Sequence, residues 1–474
     1  MADVGDGREA IYKDEVLVVE PHGIEHIKPA ERHGTLFSQF AVWFACNMHV
    51  TGLVLGGLAI TDFKIGFWGG ITSVLAANLL GALGLAACVA MGPRQGMPQM
   101  PISRASFGYF GNYLPSILAW LGYIGWFTVE IILGARLVQQ FTNIPYVPGV
   151  IGLSVIIIAI AIYGYNAIHA FQKYMTYVSL AVFLILTGLI LFHGVNFGAP
   201  ATVSGGTYWE NWMVEFTIMF SYTVSWAPYA ADYGRYLPEN TPLRKPFWYS
   251  FLGMFISIQW VNMLGIALAS MAVKGGIVPA LGVVSGVYVS WLVYITLILG
   301  AMTANVLNTY SGGLSALAFD LPLKRWTSAL LIGVIGLVLG VLFGGDKFVG
   351  FVKDFLFTLV YWVLPWLAII VVDFYVFNDG GRKYPNVLEF YKRHGVFGAV
   401  NWRGLVAFFV GLGVSVPFMA APYFTGPIGN ALHGADFSYL ISFVVAGVIY
   451  WALGTSSVRT RVVPTQSATS GASG

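Results

Sequence analysis

Charge is the scarcest property of this 474-residue chain: Asp, Glu, Lys and Arg together make up 9% of it, where a soluble protein carries roughly a quarter. So few charges cannot face the outer surface with groups that water solvates, which excludes a soluble globular protein. The net charge of +3 is too small to imply a nucleic-acid partner. Cysteine is nearly absent. Its two copies, Cys46 and Cys88, sit inside apolar stretches, so no disulfide framework is expected. HExxH and GxSxG motifs are missing, as is any clustered His/Asp set, which disfavours a membrane-embedded enzyme. No repeated filter segment speaks for a channel. There is no ATP-binding motif either, so an ion gradient has to drive any uphill movement and no cofactor is expected.

What the chain has in abundance is apolar length. Hydrophobic residues are 57% of it, aromatics 16%, and there are 57 glycines, a composition suited to close helix packing and interfacial belts in a bilayer. A membrane helix needs about 20 apolar residues. Twelve such runs can be drawn, at about 35–61, 66–91, 114–140, 147–166, 172–193, 210–232, 247–271, 286–312, 326–345, 351–375, 401–421 and 436–455. They are called spans 1 to 12 below. The expected architecture is an all-α polytopic membrane protein with polar tails at 1–34 and 456–474 and a polar linker around Asn378–Asn401. All lysines and arginines except Lys64, Arg136, Lys274, Lys347 and Lys353 fall on the side of the two termini. By the positive-inside rule both termini are expected in the cytoplasm, the chain being a multi-pass protein of the plasma or inner membrane.

Two spans should break at mid-depth. Span 1 carries the polar run Cys46-Asn47-Met48-His49 and span 6 carries Ser225-Trp226-Ala227-Pro228. Proline removes a backbone donor, and in hydrocarbon an irregular backbone survives only where it lines a cavity. The two breaks lie five spans apart, as expected if spans 1–5 (35–193) and spans 6–10 (210–375) form an inverted repeat, with spans 11 and 12 (401–455) added. Discontinuous helices at corresponding places in two halves point to a transporter's substrate site.

Polar groups inside the apolar runs are the candidate site residues. Glu130 lies near the middle of span 3, four residues after Trp126 and so on the same helical face. An indole beside a carboxylate suits a planar heterocycle that stacks on the ring and donates N–H groups to the acid. Arg136 is six residues on and roughly on the opposite face, so it is not expected to neutralise Glu130. In span 8, Asn305 and Asn308 are neighbours on one face, amides able to read the edge of a base. Thr303 with freed carbonyls offers hard oxygen ligands for a small cation. His49 is open to three readings: ligand contact, proton carrier, or a neutral imidazole bonded inside the bundle. Most other acids are expected at span ends or in loops, Asp354 and Asp373 at the interfaces among them. Gly52/Gly56 and Gly336/Gly340 are GxxxG spacings read as packing.

These residues in this order resemble a known family. Trp43-Phe44-Ala45-Cys46-Asn47, Gly125-Trp126-Phe127, Ser225-Trp226-Ala227-Pro228 with Asp232-Tyr233, Asn308-Thr309-Tyr310-Ser311 and Val400-Asn401-Trp402 are similar to motifs of the nucleobase:cation symporter-1 family. That family holds cytosine and purine permeases and hydantoin and allantoin transporters. The resemblance implies a leucine-transporter-type fold of two inverted five-helix repeats plus two helices, and symport of a nucleobase-like heterocycle with Na+ or H+. It implies a ligand sandwiched between Trp126 and the aromatic region of Trp226, with Ser225, Asn47 and His49 nearby and Glu130 and Asn308 reading its edge. It also implies a cation site between the carbonyls of Ala45 and Met48 and span 8 at Thr303 and Asn305. Two positions depart from the family. Glu130 stands where relatives carry an amide, and Met302 stands where sodium-coupled members carry a second hydroxyl, which leaves Glu130 as a candidate proton carrier. Allantoin, hydantoin and a pyridoxine-like vitamin are alternative cargoes. An amino acid is disfavoured because Glu130 would repel its carboxylate. A monomer is expected.

Overall fold

The computed structural model describes residues 22–455 apart from 164 and 346; the two tails beyond those limits lie outside the described residues. Each of the twelve apolar runs is helical over most of its length. Among the described residues, seven helices are long and apolar enough to cross a membrane, and the bent pair Leu36–Ala45 and Val50–Thr61 makes an eighth. Shorter apolar helices occupy Tyr146–Ile160, Trp402–Phe418 and Ser438–Gly454. Large apolar side chains such as Trp68, Leu184, Phe192 and Val448 stand exposed on the outside, the surface expected of a bundle solvated by lipid.

Both expected breaks are present. In span 1 the helix stops at Ala45 and restarts at Val50 with a bend of 54°. Neither proline nor glycine stands between them. Instead the Asn47 amide donates to Trp43 O at 2.7 Å, taking the carbonyl that its own backbone N–H would use, the local competition that ends helices. His49 is then fully extended (φ −147, ψ 176) before the second helix begins. In span 6, helix Gly205–Val224 gives way to the 3-10 turn Ala227–Tyr229 and the short helix Ala230–Gly234, with Pro228 as the missing donor. Ser225 covers one freed carbonyl by donating to Tyr222 O at 2.9 Å.

Glycines set how closely these pieces approach. A Cβ on Gly300 of span 8 would stand 2.4 Å from Met48 O and 2.9 Å from the His49 Cβ, so only glycine lets span 8 touch the break of span 1. Gly56 meets the backbone of Asn262 in span 7 (Arg244–Ser270) in the same way, at 2.4 Å. Gly336 and Gly340 of span 9 receive Phe127 and Ile131 of span 3. Both GxxxG spacings are therefore packing contacts.

Several expectations need correction. Span 8 is longer than its apolar run: a further helical piece from Ile277 joins it across Gly286, whose φ of 60 bends the chain. Asp373, at the end of span 10, is buried by protein. It is 6% exposed, sits in a π-helical turn (Val372–Phe377), and accepts from Tyr450 at 2.7 Å and Tyr384 at 2.5 Å. Residues 378–401 are more than a linker, since their 3-10 turn (Val387–Tyr391) accepts from Arg104 at Phe390 O and donates through Tyr391 to Ile24 O. The described part of the N-terminal tail is likewise pinned down. Ile27 N bonds Gly96 O, Arg32 bonds Pro93 O and Arg235 bonds Gly23 O.

Candidate functional site

The break in span 1 brings a histidine to an acid. His49 Nδ1 lies 3.0 Å from Glu130 Oε2, with both side chains buried, and His49 Nε2 lies 3.2 Å from the Tyr222 hydroxyl of span 6. Three elements thus meet in one polar chain, Tyr222–His49–Glu130, deep in the bundle. Arg136 takes no part: it donates to the carbonyls of Gly344 and Gly345, as its opposite helical face suggests.

One turn along span 3 from Glu130 lies the aromatic part. The Trp126 indole donates to Ser225 Oγ at 3.1 Å and packs against Tyr222 (centroids 5.4 Å, 47°) and Phe355 (5.3 Å, 78°). The proline break aims Tyr229 at the same place. Its ring lies 4.4 Å from that of Tyr123, and its hydroxyl donates to Asn308 Oδ1 at 2.7 Å. Tyr123, Trp126, Ser225, Pro228, Tyr229 and Trp362 are among the walls of a cavity of about 10 Å³. That is room for about one water, so a planar ligand enters only as these rings part. Trp226 is near but turned elsewhere, packing edge-on against Trp43 (5.9 Å, 73°) and tilted on Tyr229 (4.8 Å, 53°). Tyr222 is the span 6 ring that packs on Trp126, and Tyr229 lines the same cavity.

The amides fall on different duties. Asn308 Nδ2 donates to Asn305 Oδ1 at 2.8 Å, and Asn305 Nδ2 donates to Phe127 O at 3.2 Å. Asn305 therefore ties span 8 to span 3 and does not reach the expected cation site. Asn47 faces span 7, donating also to Met254 Sδ at 3.1 Å. At the expected cation site, Thr303 Oγ1 lies 2.5 Å from Gly300 O and 3.4 Å from Ala45 O, and Met48 N donates to Ala45 O at 3.2 Å. Ala45, Met48 and Thr303 do come together. The oxygens they offer are few against the roughly six a hard cation gathers, and Met302 adds none.

Sequence reasoning passed over Tyr222 and Tyr229, although Tyr222 is four residues before Trp226 and so shares its helical face. It also passed over Glu215 in span 6, which is 0% exposed, with no hydrogen-bond partner for either carboxylate oxygen among the described residues. The rule that singled out Glu130, an acid inside an apolar run, would have found it.

At the far end of span 1 a wider vestibule of about 520 Å³ opens, walled by Asp62, Arg136, Gln139, Pro279 and Phe348 among others, with Val54 and Leu133 towards its inner end. Among the described residues no group of three or more histidines, cysteines or acids could hold a metal ion.

Comparison with known proteins places this geometry. Residues 26–442 match the family model described as a permease for cytosine/purines, uracil, thiamine, allantoin. YxlA of Bacillus subtilis (strain 168), named provisionally as a purine-cytosine permease, is 33% identical over 94% of this chain and 98% of its own length. The purine-cytosine permease fcyB of Emericella nidulans is 27% identical over 92% of this chain and 88% of its own. Among solved structures, the nucleobase-cation-symport-1 family transporter Mhp1, closed with bromovinylhydantoin bound, superposes with a TM-score of 0.74 at 19% identity, over 93% of this chain and 96% of its own. That likeness concerns the fold.

Proposed function

The chain belongs to the nucleobase:cation symporter-1 family, the permeases for cytosine/purines, uracil, thiamine and allantoin, and from that premise we propose that it imports a planar nitrogen heterocycle of the nucleobase type, coupled to a cation gradient, by alternating access. Its fold is the all-helical, leucine-transporter-type bundle of that family, and the family consists of transporters, not enzymes.

The observation that carries the reading is the convergence, at two helix breaks, of an aromatic face and a carboxylate inside the bundle: Trp126 and Tyr222 beside Glu130. The heterocycle lies over Trp126, entering as Tyr222 and Tyr229 move aside. Its ring N–H groups donate to the Glu130 oxygen that does not face His49. Asn308 reads the opposite edge once Tyr229 releases its carbonyl, so ligand entry exchanges one hydrogen bond for another. Ser225 holds the indole at the right tilt from below. Trp226 acts on the site through Tyr229.

Orientation follows from the lysine and arginine bias, which supports cytoplasmic termini in the plasma or inner membrane. A single chain contains all the elements named, which supports a monomeric working unit.

Equilibrium binding of labelled cytosine, hypoxanthine, uracil, allantoin, hydantoin and pyridoxine to the purified full chain tests the reading. At least one should bind and lose affinity in Trp126→Ala. A protein that binds none of them, or binds one with equal affinity after Trp126→Ala, would sink the assignment.

A further inference from the structure

We propose that the vestibule is a separate, outer binding site for the same heterocycle, which is held there between Arg136 and Asp62 before it moves inward to Trp126; this rests on the transport reading above and adds a step to it.

Two helix faces build its walls. On the restarted helix of span 1, Val54, Leu58 and the Thr61–Asp62 end follow one another at helical spacing and share a side. On span 3, Leu133, Arg136 and Gln140 do the same. The two stripes start near each other, since Leu133 is three residues beyond Glu130 and Val54 is five beyond His49. The contact between His49 and Glu130 therefore separates the vestibule from the aromatic cavity. Arg136, six residues beyond Glu130, stands about 9 Å further out along span 3 at the rise of an α-helix.

Arg136 is a donor already fixed in place. Its Nη2 is bonded to Gly344 O at 2.8 Å and Gly345 O at 3.1 Å, and its guanidinium carbon lies 5.2 Å from the centre of the Phe348 ring. Nη1 and Nε have no bond among the described residues, so a planar set of N–H groups is left for a ligand. Asp62 caps the helix of the facing wall and accepts only from Thr61, at Oδ2. Among the described residues no ion pair joins Asp62 to Arg136.

Charge and size say what fits between them. An anion would be repelled by Asp62 and a cation by Arg136. A neutral ring that carries a carbonyl and N–H groups on its edge satisfies both walls, the carbonyl accepting from the guanidinium and an N–H donating to the carboxylate. Val54, Leu58, Pro279 and Phe348 give its faces apolar cover. The vestibule's 520 Å³ lies within the roughly 300–1,000 Å³ of small-molecule sites. The aromatic cavity of about 10 Å³ admits the same ring only after Tyr222 and Tyr229 have moved. A heterocycle that arrives while those rings are closed is therefore held in the vestibule by its edge.

Protection of a thiol tests this, because Cys46 and Cys88 are both 0% exposed while Gln139 is an exposed residue of the vestibule wall. In the purified full chain a maleimide should label Gln139→Cys and leave the wild type unlabelled. Cytosine, or whichever heterocycle of the binding panel is retained, should slow that labelling several-fold. Adding Asp62→Asn should raise the protecting concentration about tenfold, the usual effect of losing a hydrogen bond to a charged group, and Arg136→Gln should act in the same direction. The equilibrium binding that depends on Trp126 should stay as in the wild type in Asp62→Asn. Adding Trp126→Ala should leave the protecting concentration unchanged. A protecting concentration that rises in Trp126→Ala, or that ignores Asp62→Asn, would overturn the proposal, since occupation of the inner site would then be what hides the thiol. Binding that Trp126→Ala weakens, with no protection of Gln139→Cys at any concentration, would overturn it as well and leave the transport reading standing. If the wild type binds no heterocycle of the panel, the two fall together.

Discussion

At the scale of single residues, Trp126 and Asn308 make different predictions. Base–aromatic stacking contributes roughly 1–3 kcal/mol, so Trp126→Ala should weaken heterocycle binding about ten- to a hundredfold, and Trp126→Phe should weaken it less. Equal affinities by equilibrium binding would remove Trp126 from the site. Asn308 already holds Tyr229 and Asn305, so Asn308→Ala strands two buried partners as well as the ligand edge. Such groups cost about 1–3 kcal/mol when left unpaired, and both affinity and melting temperature should fall. A loss of affinity with full thermal stability would mean that the Tyr229 and Asn305 contacts carry no weight. Trp126 and Glu130 were legible because an acid and an indole four apart in an apolar run have few structural uses. The partner of Glu130 was not legible. Nothing in the spacing of His49 and Glu130, on different spans, says that Nδ1 will meet Oε2, and Asn47, which looked equivalent to His49, turns to Met254 instead.

At the scale of elements, the two breaks were visible for unequal reasons. Span 6 announces its break with Pro228. Span 1 has no breaker, and only its polar run hinted at the interruption that the Asn47 side chain creates at Trp43 O. Gly300 tests how tightly the span 1 break is held. A Cβ there meets backbone at Met48 O, an overpacking that costs about 1–3 kcal/mol. Gly300→Ala should therefore lower the melting temperature of the detergent-purified protein, and an unchanged value would show that spans 1 and 8 are free to separate. In the sequence the strap of residues 22–34 reads only as tail, because its contacts run to distant carbonyls that carry no pattern. Among its titratable members is His26, whose ring bonds Gln95 O at 2.9 Å and lies beside Arg32. Burial first, and Arg32 after it, hold this imidazole below its ordinary value. The native strap therefore resists a proton that the loosened strap accepts, and it loses stability as pH falls through about 6.5. Hydrogen exchange of residues 22–34, corrected for intrinsic rates, should quicken from about pH 7.5 to about pH 5.5, and His26→Gln should remove the difference. An identical pH response in that variant would place the sensitivity elsewhere.

At the scale of the whole molecule, apolar run length and the short loops left room for little besides a helical bundle. The helices fall on the runs that length and composition mark out. Glycine spacing foretold where they touch, but not the joining of two helical pieces at Gly286, since a single glycine in an apolar run reads equally as packing or bend. The bundle's internal space is unequal, a 520 Å³ vestibule on one side of the His49–Glu130 couple and a cavity of about 10 Å³ on the other. That arrangement suits a carrier whose site opens to one side at a time. Counterflow in proteoliposomes measures this claim most directly. Vesicles preloaded with unlabelled heterocycle should take up the same labelled compound transiently above equilibrium, with no ATP present, and should leave labelled amino acids outside. Passive equilibration without overshoot for cytosine, hypoxanthine, uracil, allantoin, hydantoin and pyridoxine alike would contradict the account.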